Sequence, residues 1–472
     1  MKIDELRKKH QRLIYKNFKI DHNNDDLTIS SNFLLSPNIE FNPKVTIHGV
    51  TKKQLADIPP EELKVYAFNL GMAEIFSYWK SAAPQEIVIE AESLNREQTD
   101  FWHNLLIQGM GEYFFVNQID FTGDNFVKFT STREKSSANN SQVHHQDTGE
   151  NKLSGVLLPL GGGKDSLVSL EILKENYQGQ VSLFALNPIE AVKEAVQLNP
   201  DLPYISATRV IDPKLLELNK IGYLNGHTPF SSYLAFLNVL VARLFKIKYI
   251  AISNERSANE ESVIYHGHQI NHQYSKSYQL EENFQKYFAE LPLTEKPFYF
   301  SLLRPLYELQ IAKLFSKKDF YLSIFKSCNK GQKTNSWCGN CSKCLFAFII
   351  LYPFLDEDII TDIFGINLLN NESLWNIAKK LLGYAHQKPL DCVGTHEESL
   401  ISLYLCYQKQ SKGKKSLSKI TELFEKEILP HEKNLEARTK TILQSWNSHH
   451  SLPTEFDRIL KYVHQNNFKT QS

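Results

Sequence analysis

Hydrophobic periodicity divides this chain into three stretches of different character. In the first, apolar residues recur every three to four positions across Val65–Trp79 (VYAFNLGMAEIFSYW), which predicts a helix. Glu86–Ala91 (EIVIEA) reads as a short strand, Gln98–Gln108 as a helix and Tyr113–Val116 as extended. Of the carboxylates here, Glu74, Glu90 and Glu92 are candidates to face a ligand, although solvated or capping roles are commoner. Ser131–Lys152 (STREKSSANNSQVHHQDTGENK) is nearly devoid of apolar residues and predicts a linker. The middle stretch alternates buried strands with helices. Gly155–Leu160, Val181–Leu186 and Tyr249–Ser253 are the strands; Ser166–Asn176 and Pro229–Phe245 are the helices. Such alternation indicates a parallel sheet covered on both faces. From Asp356 onward the pattern is mostly helical, and the basic positions Lys409, Lys412, Lys414, Lys415 and Lys419 read as a solvated loop.

Composition narrows the classes of function. The 472 residues carry 53 Lys plus Arg against 53 Asp plus Glu, a formal net charge of zero. A protein that grips nucleic-acid phosphate or an anionic membrane surface concentrates excess basic charge, so neither class is expected. The apolar run Leu345–Leu355 is well short of the ~18 residues of a membrane span and reads as a buried helix. Residues 1–26 contain no apolar core of a signal peptide. Six cysteines, four of them within 328–344, do not form the spread framework of a secreted disulfide protein. A cytoplasmic protein is expected.

The strongest chemical signature is Leu157–Ser166, LLPLGGGKDS, at a strand-to-helix junction. Consecutive glycines turn the backbone and bare its N–H groups, while the helix N-terminus adds positive potential, so the turn suits an anion such as pyrophosphate. Walker A spacing fails, because Leu158 stands where the first Gly belongs and Asp165 where Ser or Thr belongs; a G-x-G-x-x-G spacing is absent too. The turn resembles the S-G-G-x-D-S loop of the ATP pyrophosphatase (PP-loop) superfamily, with Gly161 in place of the first Ser. That resemblance implies an ATP site in which Gly161, Gly162, Gly163, Lys164 and Ser166 cradle pyrophosphate and Asp165 helps hold Mg²⁺.

Cys328, Cys338, Cys341 and Cys344 give C-x9-C-x2-C-x2-C, the thiolate set of a structural zinc site. The spacing leaves an iron–sulfur cluster open. Polar segments lie between these two motifs. Ser253–Asn259 (SNERSAN) follows a buried strand, where α/β folds place ligand contacts. His266–Ser277 contributes His266, His268, His272, Tyr274 and Lys276, for which hydrogen bonding and anion recognition are favoured over metal ligation because no supporting carboxylate is evident nearby. Arg304 suits either a bidentate anion clamp or a salt bridge at a helix start. In Lys388–Glu398 (KPLDCVGTHEE), Cys392 is a base or a small buried hydrophobe, and Asp391, His396 and Glu397 are further candidate bases.

Taken in order, FNLGMAEIFSYWK, GGGKDS, SNERSAN, INHQYSKS, LLRPL-x-ELQIA, WCGNCSKC-x-F and KPLDCVGT resemble the ATP-dependent UDP-N-acetylmuramoyl-L-alanyl-L-glutamate epimerase family, MurL, over roughly Val65 to Glu398. Leu390-Asp391 stands where the family leads one to expect Phe-Glu. The resemblance implies an α/β fold: a PP-loop (adenine nucleotide alpha hydrolase-like) domain over 153–350 with its four-cysteine metal knuckle, an N-terminal α+β domain over 1–130, a linker over 131–152 and a helical region over 351–472. It implies an isomerase of peptidoglycan precursor synthesis that uses ATP and Mg²⁺ and takes a small UDP-muramoyl-dipeptide. Asp165, Cys392, Asp391 and His396 are the expected catalytic groups; Arg256, Asn259, Lys276 and Arg304 are expected on the substrate. No nucleic acid, membrane or protein partner is expected. Two other readings stay open: a PP-loop ligase adenylating a nucleobase or tRNA, and a non-catalytic ATP-binding scaffold.

Overall fold

In the computed structural model, covering residues 2–132, 153–331, 334–413 and 416–468, the strands predicted in the middle of the chain lie side by side. Ser154–Pro159 pairs in parallel with Val181–Leu186 on one side and Ile247–Ile252 on the other. Tyr204–Val210 extends the sheet beyond Val181–Leu186, and Phe298–Ser301 extends it beyond Ile247–Ile252, again in parallel. Neighbouring side chains of one strand serve opposite cores. Val156 and Leu158 pack with the helices Lys164–Asn176, Glu308–Phe315 and Ser342–Leu351, whereas Leu157 faces the helices Pro60–Trp79 and Phe230–Leu244. Burial on both faces is the reason these strands read as continuous apolar runs.

The N-terminal segment completes the same sheet. Lys44–His48 pairs antiparallel with Tyr204–Val210, followed by the long hairpin Asp26–Leu35 and Arg12–Asn23, then Glu86–Ile89 and Lys128–Ser131 in parallel. With Ile39–Phe41 paired antiparallel on Asp26–Leu35, the described residues form a mixed, mostly parallel sheet of eleven strands. Asp26–Leu35 buries alternate residues, as a strand with one covered face must. The predicted helix appears as Pro60–Trp79 and is buried nearly all round, because it lies between this hairpin and Phe230–Leu244. Two buried ion pairs tie the halves together: Glu62 with Arg243 at 3.0 Å, and Glu74 bidentate with Arg209 at 2.6 and 2.7 Å. Glu74 is therefore a structural partner and does not face a ligand.

Some expectations are corrected. Tyr113–Val116 is the end of a short helix, Gly111–Val116, in which Tyr113 and Phe114 are buried against aromatic neighbours. Tertiary packing overrides the strand preference of its aromatic residues. Lys409 and Lys412 belong to the helix His396–Lys412, and Lys409 donates to the carbonyls of Tyr352 (2.9 Å) and Leu355 rather than standing in a solvated loop. Lys414 and Lys415 lie outside the described residues, as does 133–152 of the predicted linker.

Candidate active site

The strand order fixes where a ligand can sit. From Ser154–Pro159 the chain moves to Val181–Leu186 on one side, and it later returns to place Ile247–Ile252 on the other. A crevice opens at the carboxyl ends of strands where the order reverses in this way. The loops there are the glycine turn 161–163 and the segment 253–259, and both line a cavity of about 280 Å³.

The glycine turn is built to be bare. Gly162 has φ +79°, and a Cβ on it would sit 3.0 Å from Ile189 Cδ1 and 3.2 Å from Ala191 Cβ. Its carbonyl accepts from the Lys326 N–H at 2.9 Å, which holds the loop against 326–329. Gly163 caps the helix Lys164–Asn176 with no side chain over the first-turn N–H groups, so they remain available to an anion. Lys164 is buried and ion-paired with both Asp165 and Glu308. Oxygens of Asp165, Glu255 and Glu308 all lie within 4.8 Å of one another. Burial and the Asp165 charge push the carboxyls of Glu255 and Glu308 up. A divalent cation would relieve that repulsion, and three carboxylates beside a phosphate turn are the hard oxygen donors Mg²⁺ prefers.

On the same cavity wall stands Cys392. Lys276 Nζ donates to its Sγ at 3.3 Å, and His272 Nε2 lies 3.8 Å from the sulfur. Burial would raise the thiol, but the Lys276 charge and the His272 hydrogen bond outweigh it and hold Cys392 at about 5. The other ring nitrogen of His272 is hydrogen-bonded to Glu112. Burial alone would lower this imidazole; its bonds to Cys392 and Glu112 raise it to about 9. The carboxylate support that the His-rich segment lacks locally thus comes from Glu112, 160 residues away.

An adjoining apolar hollow of about 310 Å³ shares Gly161, Asn254 and Lys276 with this cavity and is walled by Phe184, Ile189 and Phe230. Asn238 lines it and has a buried Oδ1 with no partner among the described residues.

The other expected residues fall elsewhere. Asp391 is bonded to Ser342, and His396 starts a helix with Nδ1 on the Leu381 carbonyl at 2.9 Å; neither lines the cavity. Arg304 is fully buried, donating to the carbonyls of Glu255 and Lys276 at 2.6 Å each and to Glu281 at 3.1 Å. It braces the segments carrying Glu255 and Lys276 and has no face toward a substrate. Arg256 stacks over Tyr307 at 4.4 Å, bonds Ser445 at 2.9 Å and, with Asn259, lines a separate outer hollow of about 610 Å³. Ser166 Oγ bonds back to the Gly163 carbonyl at 3.1 Å on the cavity wall.

Sequence reasoning passed over Glu255 and Glu308, although both lie inside quoted motifs. Lys343 likewise lies inside the quoted WCGNCSKC, whereas Glu112 and His227 carried no local signal.

The four clustered cysteines converge beside the cavity, which Cys328 lines, with all four sulfurs within 4.8 Å of one another. Cys344 Sγ is 3.4 Å from Cys341 and 3.6 Å from Cys338. A tetrahedral zinc with bonds of about 2.3 Å sets its sulfurs roughly 3.8 Å apart, so the set fits that metal. Cys341 caps the helix Ser342–Leu351 and Cys344 lies in its first turn.

Comparison with known proteins covers most of the chain. The MurL N-terminal domain model matches residues 4–302 and the MurL C-terminal domain model residues 324–436. A protein of a Micromonospora species is 36% identical over 336 residues, 70% of this chain and 72% of its own. A Salinispora tropica protein is 36% identical over 333 residues, 70% of each chain. One from Xanthomonas oryzae pv. oryzae is 33% identical over 332 residues, 68% of this chain and 70% of its own. Each of the three is named UDP-N-acetyl-alpha-D-muramoyl-L-alanyl-L-glutamate epimerase. No solved structure matches. Two family models in sequence and relatives this similar over two thirds of their length lead to one assignment: the chain belongs to the MurL epimerase family.

Proposed function

We propose that this protein is a cytoplasmic, ATP-dependent epimerase that inverts the terminal L-glutamate of UDP-N-acetylmuramoyl-L-Ala-L-Glu in peptidoglycan precursor synthesis. One observation carries the reading: the glycine turn, the trio Asp165, Glu255 and Glu308, and the Cys392 sulfur line a single cavity. The Cα proton of a glutamate is weakly acidic, because removing it beside a carboxylate concentrates negative charge. Attack of the α-carboxylate oxygen on the α-phosphorus of ATP releases pyrophosphate and leaves an acyl-phosphate anhydride with no such charge. Its carbonyl then accepts the electron pair left at Cα, and a base of matched strength takes the proton.

The residues divide this work by chemistry. The adjoining apolar hollow takes the adenine, and the turn Gly161–Gly163 with Lys164 and Ser166 takes the phosphates. Asp165, Glu255 and Glu308 would hold Mg²⁺, which supplies charge neutralisation at the phosphates. Cys392 removes the Cα proton, and the electron pair passes into the anhydride carbonyl. An acid on the opposite face returns a proton to Cα as the pair comes back, which inverts the centre. Arg256 and Asn259, in the outer hollow, are assigned to the diphosphate of the substrate. Water then cleaves the anhydride, returning the carboxylate and releasing AMP, which makes the inversion effectively one-way. Cys328, Cys338, Cys341 and Cys344 would hold a structural zinc that braces the wall carrying Lys343.

The test is to incubate the protein with Mg-ATP and UDP-N-acetylmuramoyl-L-Ala-L-Glu and measure AMP and the chirality of the glutamate. Substrate-dependent AMP with D-glutamate is the expected result. AMP without D-glutamate would point to a ligase with another acceptor, and no AMP with any acid acceptor to a nucleotide-binding scaffold.

A further inference from the structure

The groups behind Cys392 form an ordered series. Glu112 is bonded to His272 Nδ1, His272 Nε2 faces Cys392 Sγ at 3.8 Å, and Lys276 Nζ reaches the same sulfur at 3.3 Å. A sulfur, an imidazole at its side and a carboxylate fixing the imidazole make the constellation by which proteins keep a nucleophile or base ionised. We propose that Glu112 and His272 are positioning residues that, with Lys276, keep Cys392 as a resting thiolate poised to take the substrate's proton. This rests on the epimerase reading for the identity of that proton.

Three features favour a relay over a merely structural contact. The charged groups converge on the Cys392 sulfur: Lys276 and His272 from the segment 272–276, and Lys343 from the helix Ser342–Leu351. The nearest acid in sequence, Asp391, accepts a hydrogen bond from the Ser342 hydroxyl and does not line the cavity. Gln273, beside His272, donates to the Val393 carbonyl at 3.2 Å and fixes the backbone next to the cysteine.

The neighbouring His227 lies 3.6 Å from Glu112. Burial and the charge of His272 push it down to about 4, so it is neutral and leaves the Glu112 charge to His272. Glu112, His227 and His272 are close enough to suggest a metal site. Both ring nitrogens of His272 are already engaged, however, one by carboxylate and one by sulfur, and neither is left for an ion.

The relay also crosses the two family regions. Glu112 and His272 lie in the part matched by the N-terminal domain model, and Cys392 in the part matched by the C-terminal one. The base is therefore assembled only when the two parts pack together.

The test uses the full chain without substrates. Iodoacetamide alkylation of Cys392 is followed from pH 5 to 9 by peptide-resolved mass spectrometry, which separates it from the other five cysteines. The wild-type protein is expected to alkylate at pH 6 within about 3-fold of its rate at pH 8, since a resting thiolate is already formed at the lower pH. In His272→Gln and Glu112→Gln the pH 6 rate should fall by about 10-fold or more and recover toward pH 9, with Glu112→Asp retaining the low-pH plateau. The same two Gln variants should lower kcat for epimerisation with KM for ATP unchanged. A wild-type Cys392 that titrates near the ordinary ~8.5 overturns the proposal without recourse to any variant. So does an unchanged alkylation profile in folded His272→Gln protein. A low-pH plateau in protein that makes no D-glutamate overturns the epimerase reading and leaves the thiolate assignment standing.

Discussion

Arg304 and Cys392 show how far the surroundings of one residue decide its role. An arginine brings five N–H donors and a charge that is never lost, so burying it demands acceptors on every side. Arg304 finds the carbonyls of Glu255 and Lys276, the Ser301 hydroxyl and the Glu281 carboxylate for its two terminal nitrogens, while its Nε has no partner among the described residues. Truncating it to Ala would strand the buried Glu281 charge, which costs about 3–5 kcal/mol when one partner of such a pair is removed. The expected outcome for Arg304→Ala is a lower thermal midpoint, read by calorimetry; a midpoint equal to wild type would mean that the brace is dispensable. Cys392 is half-buried on the cavity wall and has a titration of its own. With its thiolate as the proposed base and its acidity at about 5, kcat/KM should rise with pH through about 5 and be near its full value by pH 6. Replacing Lys276 by Met removes the nearest cation, which stabilises the charged form, and must therefore move that acid limb upward. An acid limb at the same pH in Lys276→Met would show that some other group sets it.

At the scale of elements, the helix Ser342–Leu351 joins the cysteine cluster to the cavity. Its cap is Cys341, its first turn holds Cys344, and Lys343 between them lines the cavity. Metal bound by all four thiolates would fix this end of the helix, and structural zinc contributes on the order of 10–16 kcal/mol of folding free energy in small zinc-binding peptides. Elemental analysis should find about one zinc per chain. Cys344→Ser should lose it and melt earlier, with Lys343 no longer held on the cavity wall. Absence of both zinc and iron would remove the metal from the account.

This element was legible from sequence because its chemistry is local. The C-x2-C steps and the GGGKDS turn each lie within a few residues of one junction, so spacing alone reports geometry. Cys392 was legible as a candidate, and its partners were not. Glu112 and Cys392 lie 160 and 120 residues from His272, and no periodicity reports a contact at that range. Asp391 and His396, chosen as neighbours in sequence, point away from the sulfur because the chain turns into a helix capped by Thr395. Of the two roles open to Arg304, the structure gives it the ion pair, with Glu281, and a segment of four residues cannot show that the guanidinium is buried.

For the whole molecule, zero net charge describes a sum of local balances. The cavity sets Lys164, Lys276, Lys326 and Lys343 against Asp165, Glu255 and Glu308. Positive potential at the site thus comes from lysines rather than from Arg256 and Arg304. The continuous sheet makes the N-terminal segment part of this arrangement. Tyr204–Val210 is held on one side by Val181–Leu186 and on the other by Lys44–His48. Deleting residues 1–132 would leave Tyr204–Val210 as an unpaired edge and uncover the apolar face that Phe230–Leu244 packs against Pro60–Trp79. An open edge beside exposed apolar surface favours aggregation. It would also strand Arg209 and Arg243 without Glu74 and Glu62, and remove Glu112 from the relay. The truncated chain is therefore expected to be insoluble or to unfold without a cooperative transition, and to yield no D-glutamate even when supplied with Mg-ATP. A soluble fragment that melts cooperatively and still inverts glutamate would show that the catalytic half folds and ionises its cysteine unaided. The dependence on Glu112 and on the hairpin strands would then both fall.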